Sequence, residues 1–183
     1  MNEIEFNKKR DELLSNIAKC KTFQEKFLAY CKFEHFMCTK SENGYWNPKY
    51  RKDKYNNDIS LLGFGCMRFP VLDNDVERID EDTVCRMVDH FMEQGFTYFD
   101  TAWMYCNFQS ECAAREALVE RHPRDAYTLA TKLNVNAAVV KDEASAKGQL
   151  FTSLERTGAG YFDFYLLHAI QTNNYKKYDE HGI

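Results

Sequence analysis

The chain has 183 residues, 44% hydrophobic and 28% charged, with a formal net charge of −4. That length suits one domain or a domain with an appendage, the 15% aromatic share argues for a packed core, and the small net charge gives no reason to expect a nucleic-acid partner. No apolar run reaches the roughly 20 residues that span a bilayer, and the opening MNEIEFNKKRDELL lacks a secretory apolar stretch; with seven irregularly spaced cysteines, the expectation is a reduced, cytoplasmic protein with no membrane partner.

Charge divides unevenly. Residues 1–54 carry 12 Lys/Arg and 8 Asp/Glu, and residues 55–183 carry 12 and 20. Residues 1–40 read as a helical hairpin. Leu13, Leu14, Ile17 and Ala18 share one face, and Thr22-x-x-Glu25 is a capping box that opens a second helix striped by Phe23, Phe27 and Cys31. Some 40 residues bury too little surface alone, so this seam needs a partner. SENGYWNP at 41–48 is turn-rich and marks a boundary between a helical leader, 1–47, and the remainder, 48–183. A hairpin follows, with Tyr50–Tyr55 and Ile59–Phe64 joined through Asn56-Asn57.

The periodicity then alternates between strand and helix. Strands are expected at Leu61–Cys66, Phe96–Asp100, Tyr127–Lys132 and Phe162–His168. Helices are expected at Asp82–Gln94 (inward Val84, Cys85, Val88, Phe91, Met92), Ser110–Arg121 (Cys112, Ala113, Ala117, Leu118) and Ala144–Arg156 (Leu150, Phe151, Leu154), with Gly95 and Gly158 as stops and a short polar tail. The order predicts an α/β fold of about four parallel strands joined by right-handed crossovers.

Three of these strands end on residues that handle protons: Asp100, Lys132 and His168, spaced 32 and 36 residues apart. Tyr105 follows Asp100 in the next loop. In a parallel sheet or barrel, such residues converge at the carboxyl-end face, where catalysis sits. A free tyrosine is too weak an acid at neutral pH, but an adjacent ammonium stabilises the phenolate, a carboxylate holds the ammonium, and an imidazole can orient a carbonyl oxygen. Each residue alone has a plainer role: a helix cap, a loop aromatic, a surface lysine, a core histidine. Their shared place in the repeat carries the functional reading.

The stretches YRKDKYNNDISLLGFGCMRFP, FTYFDTAWMY, ATKL and FDFYLLH resemble the aldo-keto reductases over about residues 50–183, most closely bacterial members that open with GFGCMR. The resemblance implies a TIM (β/α)8-type barrel preceded by a hairpin, and NADPH (or NADH) as hydride donor to a small aldehyde or ketone. It makes Tyr105 the general acid, Lys132 its partner, Asp100 the counter-ion of Lys132, and His168 the group orienting the carbonyl. Cys66, Met67 and Asp100 would lie beside the nicotinamide. Glu111 and Arg115 fall in the following helix without an assigned role.

Only 15 residues follow His168, which predicts a truncated barrel of about four strands against the eight of a full one. Most of the cofactor site, including the carboxamide-binding and 2′-phosphate-binding parts, would then be absent. Two expectations follow. One is an impaired oxidoreductase of this type. The other is an inactive barrel fragment or assembly module that pairs with another chain, for instance as a homodimer through the exposed strand edges.

Gly63-Phe64-Gly65 lacks the third glycine of a dinucleotide fingerprint. Cys20, Cys31, His35 and Cys38 contain no short CxxC pair, so no metal is assigned. Cys106 and Cys112 read as packing thiols, and Lys8-Lys9-Arg10 as a solvated helix start.

Overall fold

The computed structural model describes residues 3–37, 50–53, 56–136 and 138–183. The expected boundary at 41–48, Cys38, Tyr55 and the side chain of Phe23 lie outside what is described. The chain divides into two compact units, Met1–Phe64 with Asp82–Tyr98, and Gly65–Glu81 with Phe99–Ile183.

In the first unit, α1 (Glu3–Lys19) and α2 (Phe23–Met37) form the expected helical pair. The capping box is made in full: the Glu25 N–H donates to Thr22 Oγ1 and the Thr22 N–H donates to Glu25 Oε2, both at 3.1 Å. The seam differs from expectation. Leu14 and Ala18 are exposed, and the buried anchor of α1 is Phe6, stacked on Phe36 at 4.7 Å.

The partner surface for α2 lies in the same unit. Phe27 meets Phe64 edge-on at 5.2 Å, Phe64 meets Phe91 at 5.4 Å, and Phe91 meets Phe96 at 5.4 Å. Cys31 of α2 is buried as well.

The hairpin is β1 (Tyr50–Lys52) with β2 (Asp58–Ser60), antiparallel with Arg51 opposite Ile59. The return run breaks after Ser60, and β3 (Gly63–Gly65) belongs to the next sheet. In α3 (Glu81–Glu93) the buried face is Thr83, Val84, Met87, Val88 and Phe91; Cys85 and Met92, expected inward, are half-buried at its margins. Gly95 ends it at φ 80°, its N–H bonded to the Met92 carbonyl at 2.8 Å.

The larger sheet has the order β3, β4 (Tyr98–Asp100), β5 (Thr128–Leu133), β6 (Phe164–Leu167). Sequence neighbours are sheet neighbours. Strand β5 pairs parallel with β6, Lys132 standing opposite Leu166. The sheet is an open α/β arc and does not close into a barrel among the described residues.

Between β4 and β5 the chain forms a turn, α4 (Tyr105–Phe108), then α5 (Ser110–Ala114), which continues as a π-helical turn over Arg115–Val119. Within that stretch Ala113, Ala117 and Leu118 are buried as expected, but Cys112 is exposed. Helix α6 (Glu143–Thr157) starts on an Asp142/Ser145 capping box and stops at left-handed Gly158. Its buried face is Ala146, Gln149, Ser153 and Thr157, whereas Phe151 is 66% exposed. On this face Gln149 Oε1 accepts the Asn134 N–H at 2.7 Å and the Thr157 hydroxyl donates to the Ser153 carbonyl at 2.8 Å, while Gln149 Nε2 and Ser153 Oγ are buried without a hydrogen-bond partner. The tail, read from the sequence only as short and polar, forms α7 (Tyr175–Glu180) and buries Tyr178 with Leu133, Val135, Val140 and Ala146.

Candidate active site

All four proton-handling candidates lie in the second unit. Three backbone bonds align the strand ends: Cys66 N–H to the Asp100 carbonyl (2.8 Å), Thr101 N–H to Ala130 (2.9 Å) and His168 N–H to Leu133 (2.9 Å). Parallel pairing therefore brings residues far apart in sequence to one end of the sheet.

The Lys132 ammonium donates to Asp100 Oδ1 and, at 2.8 Å, to the Thr101 carbonyl oxygen. It also lies 4.7 Å from the centre of the Tyr105 ring. Tyr105 meets the His168 ring edge-on, centroids 5.5 Å apart and planes at 84°. The four side chains thus form one cluster. His168 is half-buried, and burial holds its imidazole below the usual histidine range, reinforced by Lys132 and opposed by Asp100. Its Nδ1 is buried with no hydrogen-bond partner, and its carbonyl accepts the Tyr178 hydroxyl at 2.7 Å.

Cys66 is buried, and burial pushes its thiol upward, so the group stays protonated at neutral pH. Its carbonyl, instead, is the busy atom: it accepts the Ser110 hydroxyl at 2.8 Å and the Cys106 thiol at 3.5 Å. Met67 is 46% exposed.

Sequence reasoning missed the backbone that carries Tyr105. Cys106 (φ 49°), Asn107 (φ 52°) and Phe108 (φ 68°) are three consecutive left-handed residues, none of them glycine. Each costs on the order of 1–2 kcal/mol, so neighbours must hold the turn. The Cys106 thiol donates to the Cys66 and Met67 carbonyls, Asn107 Nδ2 donates to Glu77 Oε1 at 3.3 Å, and Phe108 packs edge-on against Trp103 at 4.8 Å. Glu111 is also more than a helix residue. It is fully buried and accepts the Thr131 hydroxyl at 2.8 Å, while Arg115 is exposed and bonded to Glu120. A glutamate among small, inward-facing residues was the available signal.

No group of three or more His, Cys, Asp or Glu suited to a metal occurs among the described residues. None of the described helices is long and apolar enough to cross a membrane.

The model of the Aldo/keto reductase family matches residues 61–181. A thermostable aldo-keto reductase solved with the inhibitor epalrestat superposes with a TM-score of 0.53 at 21% identity, covering 67% of this chain and 43% of its own. An aldo-keto reductase from Klebsiella pneumoniae in complex with NADPH gives 0.51 at 24% identity, covering 66% and 39%. The chain therefore spans about two-fifths of the length of these solved structures. No curated protein matches it significantly. A parallel β/α arc with four proton-handling side chains at its carboxyl end agrees with the match over 61–181, and the chain belongs to the aldo/keto reductase family.

Proposed function

We propose that this chain supplies the proton-handling half of an NAD(P)H-dependent carbonyl reductase, with Tyr105 as general acid. The observation that carries the reading is the position of the Lys132 ammonium, bonded to Asp100 and 4.7 Å from the Tyr105 ring. Cys66 and Met67 would flank a nicotinamide, whose chemistry there would be hydride donation to the carbonyl carbon. Tyr105 gives its hydroxyl proton to the carbonyl oxygen, completing the alcohol and leaving a phenolate that Lys132 stabilises. Asp100 holds Lys132 charged and in place. His168, a neutral imidazole at pH 7, orients the carbonyl oxygen. Cys66 would flank the nicotinamide through its backbone because its thiol is buried. The rest of the cofactor's grip would come from outside this stretch, a reading supported by the two-fifths coverage of the solved structures. The match beginning at residue 61 supports treating 1–47 as a leader to a reductase part, 48–183. The cysteine pattern favours a reducing, cytoplasmic setting.

The test is NADPH binding followed by fluorescence, then reduction of a simple aldehyde. Binding weaker than micromolar is expected if the rest of the grip lies outside this stretch, and micromolar binding refutes that part of the reading; any turnover seen should be lost in Tyr105→Phe. Turnover that survives Tyr105→Phe excludes the proposed acid.

A second reading is an assembly module without activity of its own. It is favoured by the open edge of the sheet at β6, where Leu167 is 43% exposed. It expects a homodimer by light scattering and no cofactor binding.

A further inference from the structure

We propose that Arg156 is a positioning residue for Tyr105, clamping the catalytic loop at Trp103 with buried Glu111 as its anchor. This rests on the reductase reading above for the role of Tyr105, but the clamp itself can be read without turnover.

Arg156 lies in the last turn of α6. Its Nη1 donates to the Trp103 carbonyl at 3.2 Å, and its guanidinium lies 5.4 Å from the centre of the Trp103 indole. The same nitrogen is 3.7 Å from Glu111 Oε2, an atom that is buried and makes no hydrogen bond. The other carboxylate oxygen takes the Thr131 hydroxyl at 2.8 Å. Thr131 precedes Lys132 in β5, and alternation along a strand sends the two side chains to opposite faces. One line of contacts therefore runs from the back of the lysine's own strand, through Glu111 and Arg156, to the loop between Asp100 and Tyr105.

Trp103 stands two residues before Tyr105, and its ring also packs on Phe108, the last of the three left-handed residues. A loop holding three unfavourable backbone conformations needs external support, and Arg156 supplies it at a carbonyl. Lys132 supplies the matching tie at the Thr101 carbonyl, two residues earlier. Arginine suits this site because its planar fork can serve a carbonyl, a carboxylate and an aromatic face together. Glu111 suits it because a buried carboxylate cannot leave without a large change in the core.

The experiment uses the full chain carrying Trp46→Phe, so that Trp103 is the sole tryptophan. Arg156→Ala is compared with Arg156→Lys, both checked for folding by circular dichroism. Acrylamide quenching of Trp103 should rise about two-fold in Arg156→Ala as the loop loosens. The NMR signal of ring-labelled Tyr105, assigned through Tyr105→Phe, should shift. In aldehyde reduction, kcat should fall roughly 10-fold to 100-fold while KM stays nearly constant. Added guanidinium should restore part of kcat, and Arg156→Lys should fall between wild type and Arg156→Ala. Unchanged quenching and an unmoved Tyr105 signal overturn the proposal, as does a loosened Trp103 with full kcat. If the wild type reduces no aldehyde, the kcat arm falls away with the missing cofactor grip, and the quenching and Tyr105 signals decide the clamp.

Discussion

The Asp100–Lys132 pair lends itself to a double-mutant cycle, with Asp100→Asn, Lys132→Met and the double variant. The side chains are 29% and 12% exposed, so the pair lies between a surface bridge and a buried one. Exposed pairs couple by about 0.2–1 kcal/mol, and removing one partner of a fully buried pair costs about 3–5 kcal/mol. Lys132→Met also deprives the Thr101 carbonyl of its donor, so about 2–3 kcal/mol of destabilisation is expected for that variant. Asp100→Asn keeps an acceptor and should cost about 1–2 kcal/mol. If the two groups act on each other, the double variant is less destabilised than the sum by about 1–2 kcal/mol. Urea unfolding at pH 7, followed by circular dichroism with the m-value held constant, measures all four corners. Raising salt to about 0.5 M should change the coupling little, because the lysine is mostly shielded from solvent. A coupling below about 0.3 kcal/mol would mean that the pair is additive and that Lys132 is not held by Asp100.

The lowered His168 imidazole makes stability depend on pH. Its folded value lies below the ordinary histidine value of about 6.5, so its contribution is full above that pH and is lost as pH falls through the folded value. Tyr105, Lys132 and Asp100 surround the ring, and wild type should lose stability from pH 7 to 5 more steeply than His168→Gln in urea unfolding. Parallel pH profiles refute the assignment. Phe27→Ala should destabilise the first unit by about 2 kcal/mol, below the 3–5 kcal/mol of a fully buried phenylalanine because Phe27 is only half-buried against Phe64. Calorimetry should show the midpoint drop by roughly 4–8 °C; a change under about 1 °C would mean that the α2 contact contributes nothing.

The amino-acid sequence alone determined the elements and their order. The Thr22/Glu25 capping box, the stops at Gly95 and Gly158, and the strand-then-helix alternation are local patterns, set by hydrogen bonds and side chains a few residues apart. Parallel pairing then makes the ends of successive strands meet, so Asp100, Lys132 and His168 could be placed together before any coordinates. Tertiary structure decided what local patterns do not encode. Phe151 points to solvent while Gln149 goes inside, where its Oε1 takes the Asn134 N–H from beyond its own helix. The tail forms a helix that buries Tyr178, whose hydroxyl bonds the His168 carbonyl ten residues back. The left-handed turn after Tyr105 is held by the carbonyls of residues 66 and 67, and Arg156 finds Trp103 across 53 residues of chain. A hydrogen bond of that span leaves no periodicity in the sequence, since its partners share no element and only the packed β/α layers bring them within 3–4 Å of each other.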